Sequence, residues 1–151
     1  MDTIDYFKLQ AKNLHRDFKT QTPLINKTIG DFRYEYSPKY FQIYDIISDF
    51  DIDEKKFSLM NAQHVIANIA GFDKWDTLIK LTESELELAK LLFEHQDKID
   101  LISWNLYIAD AQSMNEYELD AETQVGIFEQ VVIEDNIFDM VIDSYLIKHD
   151  Y

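Results

Sequence analysis

An all-α protein is expected from this chain: a compact single-domain bundle of about seven helices over residues 1–151, with at most one short strand pair. Three observations carry that expectation. The 151 residues include only three Gly and two Pro, far below the roughly 12% of an average protein and too few for a turn-rich sandwich or a Gly-dependent nucleotide fold. Apolar residues recur at three- and four-residue steps through most of the chain. Helix-start residues stand in front of several of those stripes. With 46% hydrophobic and 14% aromatic residues, the chain has core material for one domain and not the composition of a disordered one.

Ile4, Phe7, Ala11, Leu14 and Phe18 form the apolar stripe of an N-terminal helix, and Lys8, Lys12, Arg16 and Lys19 form a basic row on another face. That row is a solvated face, a surface packed on the acidic remainder, or a contact surface. Residues 21–37 are the least regular. Pro23 disfavours a helix there, and the alternation Phe32, Tyr34, Tyr36 suits one short strand with no obvious partner. Ser37-Pro38 reads as an N-cap with proline at the first helical position, followed by the stripe Tyr40, Phe41, Tyr44, Ile47 to about Phe50.

Asp49, Asp51 and Asp53 are spaced like the start of a calcium loop, but Glu54 stands where Gly is needed and Met60 where a bidentate Glu is needed. This segment reads as a solvated acidic linker. Ser58 is placed to cap a helix from Leu59 to Ala70, which Gly71 and Phe72 end as a Schellman stop. Asp73 is expected to cap a short helix carrying Trp75, Leu78 and Ile79, with Trp75 in the core. Thr82 and Glu85 make a capping box, with Leu81 and Leu86 as its hydrophobic staple, and this helix extends to about Gln96. The next runs from about Asp100 to Gln112 with Leu101, Trp104, Leu106, Ile108 and Ala111 as its apolar content. Ser113–Leu119 reads as a polar loop. Asp120 caps a helix bearing Val125, Phe128, Val131 and Val132, and the pattern restarts near Asp135-Asn136 with Phe138, Val141, Ile142 and Tyr145.

Charge is distributed unevenly. The first 39 residues carry seven Lys/Arg against five Asp/Glu, whereas residues 40–151 carry seven Lys against 24 Asp/Glu, and the whole chain stands at −15. Such a field repels nucleic acid and anionic membranes and attracts cationic surfaces. The absence of Cys excludes disulfides, thiolate metal sites and thiol nucleophiles. The acidic N-terminus Met1, Asp2, Thr3, Ile4, Asp5 is no signal peptide, and no apolar stretch reaches the roughly 18 residues a bilayer span needs. A cytoplasmic protein is expected.

Chemistry-bearing motifs are few. Gln63, Ala67 and Gly71 have the Q-x3-A-x3-G spacing of a DNA-binding helix-turn-helix. Its second helix would present Asp73, Lys74, Asp76, Thr77 and Lys80, which is charge-balanced, with Thr77 at the packing position and Leu78 one step out of register. A structural helical hairpin is the other reading. The segment Leu59-Met60, Ala62-Gln63, Ile66-Ala67, Gly71-Phe72, Trp75 and Leu78 resembles a helical motif of uncharacterised small acidic bacterial proteins, within Phe57–Phe93. It is also similar to a segment at one end of some bacterial glyoxalase-superfamily proteins. The resemblance implies a bacterial or mobile-element origin and no activity, because glyoxalase chemistry needs paired β-rich modules with His and Glu metal ligands and no strands are available to build them. His15, His64, His95 and His149 form no metal-ligand pair, and His64 is expected to be a hydrogen-bonded interface histidine or a half-buried one rather than a catalytic one. No Gly-rich phosphate loop or nucleophile elbow occurs. Neither catalytic residues nor a cofactor are expected.

Two groups stand out as partner-binding candidates. One is aromatic: Tyr34, Tyr36 and Tyr40, with Phe32, Phe41 and Tyr44, which suit a core or a hot spot facing a cationic partner. The other is acidic: Glu116, Glu118, Asp120 and Glu122 around one loop and cap. The function expected is an acidic interaction module that binds a basic protein partner, as an antitoxin, immunity protein or DNA mimic does. The alternatives are a structural or regulatory adaptor without a cationic target, and a helix-turn-helix regulator.

Overall fold

Asp2 starts the first helix, its carboxylate accepting the Asp5 amide at 2.8 Å. In the computed structural model, which describes residues 2–26, 31–138 and 143–148, helix α1 spans Thr3–Phe18. Phe7, Ala11, Leu14 and Phe18 are buried, so the stripe read from the sequence is the face α1 turns inward. The hairpin follows: β1 (Thr22–Asn26) pairs antiparallel with β2 (Asp31–Glu35), with Pro23 opposite Tyr34. The strand in β2 therefore does have a partner. A two-stranded ladder has two open edges, which is where a proline that cannot donate is tolerated.

Ser37-Pro38 does not start a helix. Helix α2 spans Ile43–Asp49 behind Gln42, which makes no side-chain cap bond. Two sets of contacts fix the intervening backbone, which bends at Lys39 and Tyr40. The buried Asp17 carboxylate accepts the amides of Lys39, Tyr40 and Phe41 at 2.8–2.9 Å. The amide of Gln42 donates to the Tyr145 carbonyl, and that of Ile147 to the Tyr40 carbonyl, around a bridge between Phe41 and Leu146.

After a 3-10 turn at Glu54–Lys56, α3 spans Leu59–Ile69 and begins with a reciprocal box between Ser58 and Asn61. It ends as a Schellman motif. The Phe72 amide reaches the Ala67 carbonyl and the Gly71 amide the Asn68 carbonyl, with Gly71 at φ +97°. Helix α4 is the five residues Trp75–Ile79. Asp73 does not cap it: Lys74 holds the cap position without a side-chain bond, and Asn68 instead ties the turn by donating to the Phe72 carbonyl. Trp75 is half-buried rather than in the core, while Leu78 is fully buried.

The Thr82–Glu85 box opens α5, Glu83–Glu94, with Leu86 buried and Leu81 half-buried beside it. Helix α6, Leu101–Asn115, is capped by Asp100. It runs past Gln112, so Ser113 is helical, until Glu116 turns left-handed at φ +58°. Helix α7, Ala121–Phe128, is capped by Asp120 and continues as a π-helical turn, Glu129–Glu134, that carries Val131 and Val132. Asn136 at φ +48° ends that pattern. Phe138 packs on the core, Tyr145 lies outside any helix, and Val141, Ile142 and His149 lie outside the described residues.

Seven α-helices and one hairpin thus make up the described residues, in an all-α fold with two core clusters. The first gathers Phe7, Leu14, Phe41, Ile46, Ile66 and Phe93; the second gathers Leu91, Ile99, Trp104, Ile108, Phe128 and Val132. Helix α5 supplies both, through Phe93 and Leu91, and packs on α1 and α7. No helix among the described residues is long and apolar enough to cross a membrane.

Candidate protein-binding surface

The tyrosines divide by burial. Tyr36 is only 8% exposed, edge-on to Phe18 at 5.5 Å and to Tyr44 at 5.9 Å. Its hydroxyl donates to Glu54 Oε1 at 2.7 Å. Burial, and then the bond to Glu54, push this phenol well above its usual range. Tyr36 is thus part of the core. Tyr34 and Tyr40 are half-buried against the same cluster, and Lys39 Nζ lies 5.4 Å from the Tyr40 ring centre. Phe41 is fully buried and Tyr44 exposed, while the side chain of Phe32 lies outside the described residues.

The acidic group sits on the other cluster. Leu119 is buried beneath the turn that joins α6 to α7. Its amide donates to Gln112 Oε1 at 2.8 Å, and its carbonyl accepts from Gln124 Nε2 at 2.9 Å. Gln124 Oε1 in turn accepts from the indole of Trp104 at 3.2 Å. With that half-buried polar relay holding the turn from beneath, Glu116, Glu118, Asp120 and Glu122 all face solvent. The Thr123 side chain, and then its amide, hold the Asp120 carboxyl below its ordinary range, so this cap stays ionised into mild acid. Glu122 also lines a groove of about 280 Å³ with Glu83, Ser84, Glu87 and Val125. Glu83 and Glu87 were missed as members of this surface. Nothing in their spacing announces that α5 and α7 lie side by side; only the packing does. Six of the seven candidate residues therefore lie on two surfaces over different clusters, and Tyr36 is interior.

The basic row Lys8, Lys12, Arg16 and Lys19 is exposed, and none of the four forms an ion pair among the described residues. Arg16 reaches Asn13 Oδ1 at 3.5 Å. The row is exposed and does not pack on the acidic remainder of the chain.

His64 is exposed, not half-buried. His15 and His95 are half-buried, and His95 places Nδ1 2.7 Å from the Leu91 carbonyl. Among the described residues, no group of three or more His, Asp or Glu is arranged to hold a metal. In the Gln63–Ala67–Gly71 segment, Ala67 and Leu78 are buried and Thr77 is exposed. The following α4 is only about 7 Å long at 1.5 Å per residue.

No family model, curated protein or solved structure matches this chain. The surfaces themselves therefore carry the functional argument.

Proposed function

We propose that this protein is a cytoplasmic acidic interaction module that binds a basic protein partner without turnover, in the manner of an antitoxin, an immunity protein or a DNA mimic. One observation carries the reading: the α6–α7 corner presents Glu116, Glu118, Asp120 and Glu122 to solvent, in a stretch between Lys98 and Lys148 that contains eleven Asp/Glu and no Lys, Arg or His. Carboxylates at that density raise the local potential and speed the encounter with a cationic surface more than they raise final affinity. The Tyr34 and Tyr40 edges are a secondary contact. An adaptor without a cationic target is the competing reading. A helix-turn-helix regulator is disfavoured by the brevity of α4 and by the phosphate repulsion of a −15 chain.

Native pull-down from the source cell with mass spectrometry tests the proposal. Recovery of a nuclease or another strongly basic protein is the expected result. The Glu116→Gln, Glu118→Gln, Glu122→Gln triple variant should then associate several-fold more slowly at low salt, with unchanged fold stability. Recovery of neutral or acidic partners alone sinks the reading.

A further inference from the structure

Helix α6 is apolar on both sides. Trp104 and Ile108 are buried and Ala111 half-buried on the inward face. Ile102, Leu106, Ala109 and Ser113 follow one another at four, three and four residues, which places them in one row on the opposite side of the helix. Ile102 is 73% exposed and Leu106 62%, and at the end of the row Met114 is 84% and Tyr117 62% exposed. A solvated helix face is ordinarily polar, and scattered single apolar residues need no explanation. Three large ones on a single helix, Ile102, Leu106 and Met114, with Tyr117 just beyond its end, do.

At its start the row meets a cavity of about 320 Å³, which Ile102 lines with Ile69, Leu92, Phe93, Leu101 and Tyr145. An apolar recess at one end of a stripe suits the buried anchor of a binding hot spot. Along the row, Asp110 follows Leu106 by one turn, and Glu116 and Glu118 close the far end, all exposed.

Resting on the acidic-module reading, we infer that the outer face of α6 is the docking site, and that its occupant is an amphipathic helix of a partner protein whose apolar stripe is flanked by Lys or Arg. Three considerations select this occupant. The row runs along a helix of about 22 Å, the length of a four-turn partner helix, and i, i+4 anchors are how helix faces are read. The charged side chains along it, Asp110, Glu116 and Glu118, are all acidic, so a cationic rim complements it. A second copy of this chain does not: α6 against α6 sets carboxylates against carboxylates, and the basic row of α1 has no exposed apolar stripe beside it, because Phe7, Ala11, Leu14 and Phe18 are buried.

The test uses the full chain and synthetic helical peptides of four to five turns, followed by fluorescence anisotropy. A peptide with a Leu stripe flanked by Lys should bind, and Ile102→Ser with Leu106→Ser should weaken it by at least about tenfold while leaving the circular dichroism melt unchanged. Asp110→Asn with Glu118→Gln should slow association and flatten the salt dependence. If the Leu/Lys peptide binds with salt sensitivity but the double Ser variant binds it equally well, the α6 site is wrong and the acidic-module reading survives. If neither that peptide nor a Ser/Lys peptide of the same charge binds at low salt, the acidic-module reading itself fails. Equal binding of a neutral Leu/Gln peptide overturns the cationic occupant. Self-association by sedimentation that the double Ser variant abolishes makes the occupant a second copy.

Discussion

Helices α1 and α6 are sixteen and fifteen residues long and dispose of their apolar residues in opposite ways. α1 buries its stripe and shows solvent Lys8, Lys12, Arg16 and Lys19; α6 buries Trp104 and Ile108 and shows solvent Ile102 and Leu106. Their surroundings differ in the same sense. The α1 half is closed by polar contacts that span the sequence: Asp17 to residues 39–41, Tyr36 to Glu54, and Tyr145 to both Gln96 and Asp49. The α6 half is closed over separations of twenty residues or fewer, Gln112 to Leu119 and Gln124 to Leu119 and Trp104, whereas Tyr145 bridges 49 and 96 residues. A half closed by distant contacts commits its surfaces to the fold. The half closed over shorter separations leaves the outer side of α6 open to solvent.

Substitutions probe this contrast, beginning with the inner face of α6. Trp104→Ala removes a buried indole that sits edge-on to Phe128 at 5.1 Å and leaves Gln124 without its donor. Urea unfolding should show a loss of about 3–5 kcal/mol. A loss below about 1 kcal/mol would mean that the second cluster contributes little, and that the two helices are not comparable elements. Asp17→Ala should follow, at about 3 kcal/mol, because three amides lose their acceptor at once. Asp17→Asn should recover part of that, and equal costs for the two variants would show that the acceptor role is unimportant.

Tyr145→Phe should cost about 1 kcal/mol at pH 8, the value of one solvent-accessible hydrogen bond to a carboxylate. Burial, and then the bond to Asp49, push this phenol up to about 12. The folded state therefore holds the proton more tightly than the unfolded one, whose value is near 10. The contribution is full below pH 10 and declines as pH rises toward 12, so the gap between wild type and variant in unfolding free energy should narrow across that window. A constant gap would deny that the hydroxyl is coupled to folding. Smallest of all, Ile102→Ser with Leu106→Ser should change stability by less than about 0.5 kcal/mol, the usual range for exposed sites. A loss above about 1 kcal/mol would show that the outer face of α6 is covered.

What could be read in advance follows the range of the interactions. The Thr82–Glu85 box, the Ser58 and Asp120 caps and the Gly71 stop each depend on residues within about one turn, and each lies where the sequence places it. Features set by distant partners were missed. Ser37-Pro38 carries a sound helix-start signal, overruled by Asp17 from the preceding helix and by residues 145–147. Leu106 looks like core because periodicity counts apolar residues without telling which side of a doubly apolar helix faces inward. The acidic corner was visible as a run of charge, whereas Glu83 and Glu87 joined it only through the packing of α5 on α7. Of the core and contact readings open for Tyr36, the core one holds, through a partner the sequence does not point to, Glu54, eighteen residues on.

The pairing of Tyr40 and Gln42 with Tyr145 and Ile147 sets a schedule for synthesis. When residues 40–42 leave the ribosome, the backbone groups that complete them are still about 100 codons from translation. At roughly 5–20 residues per second, that is a wait of about 5–20 s. During it Asp17 can already bind the amides of residues 39–41, but the Gln42 amide and Tyr40 carbonyl have only water. The nascent α1 half therefore carries an unfinished edge, which only the arrival of residues 145–147 can seal.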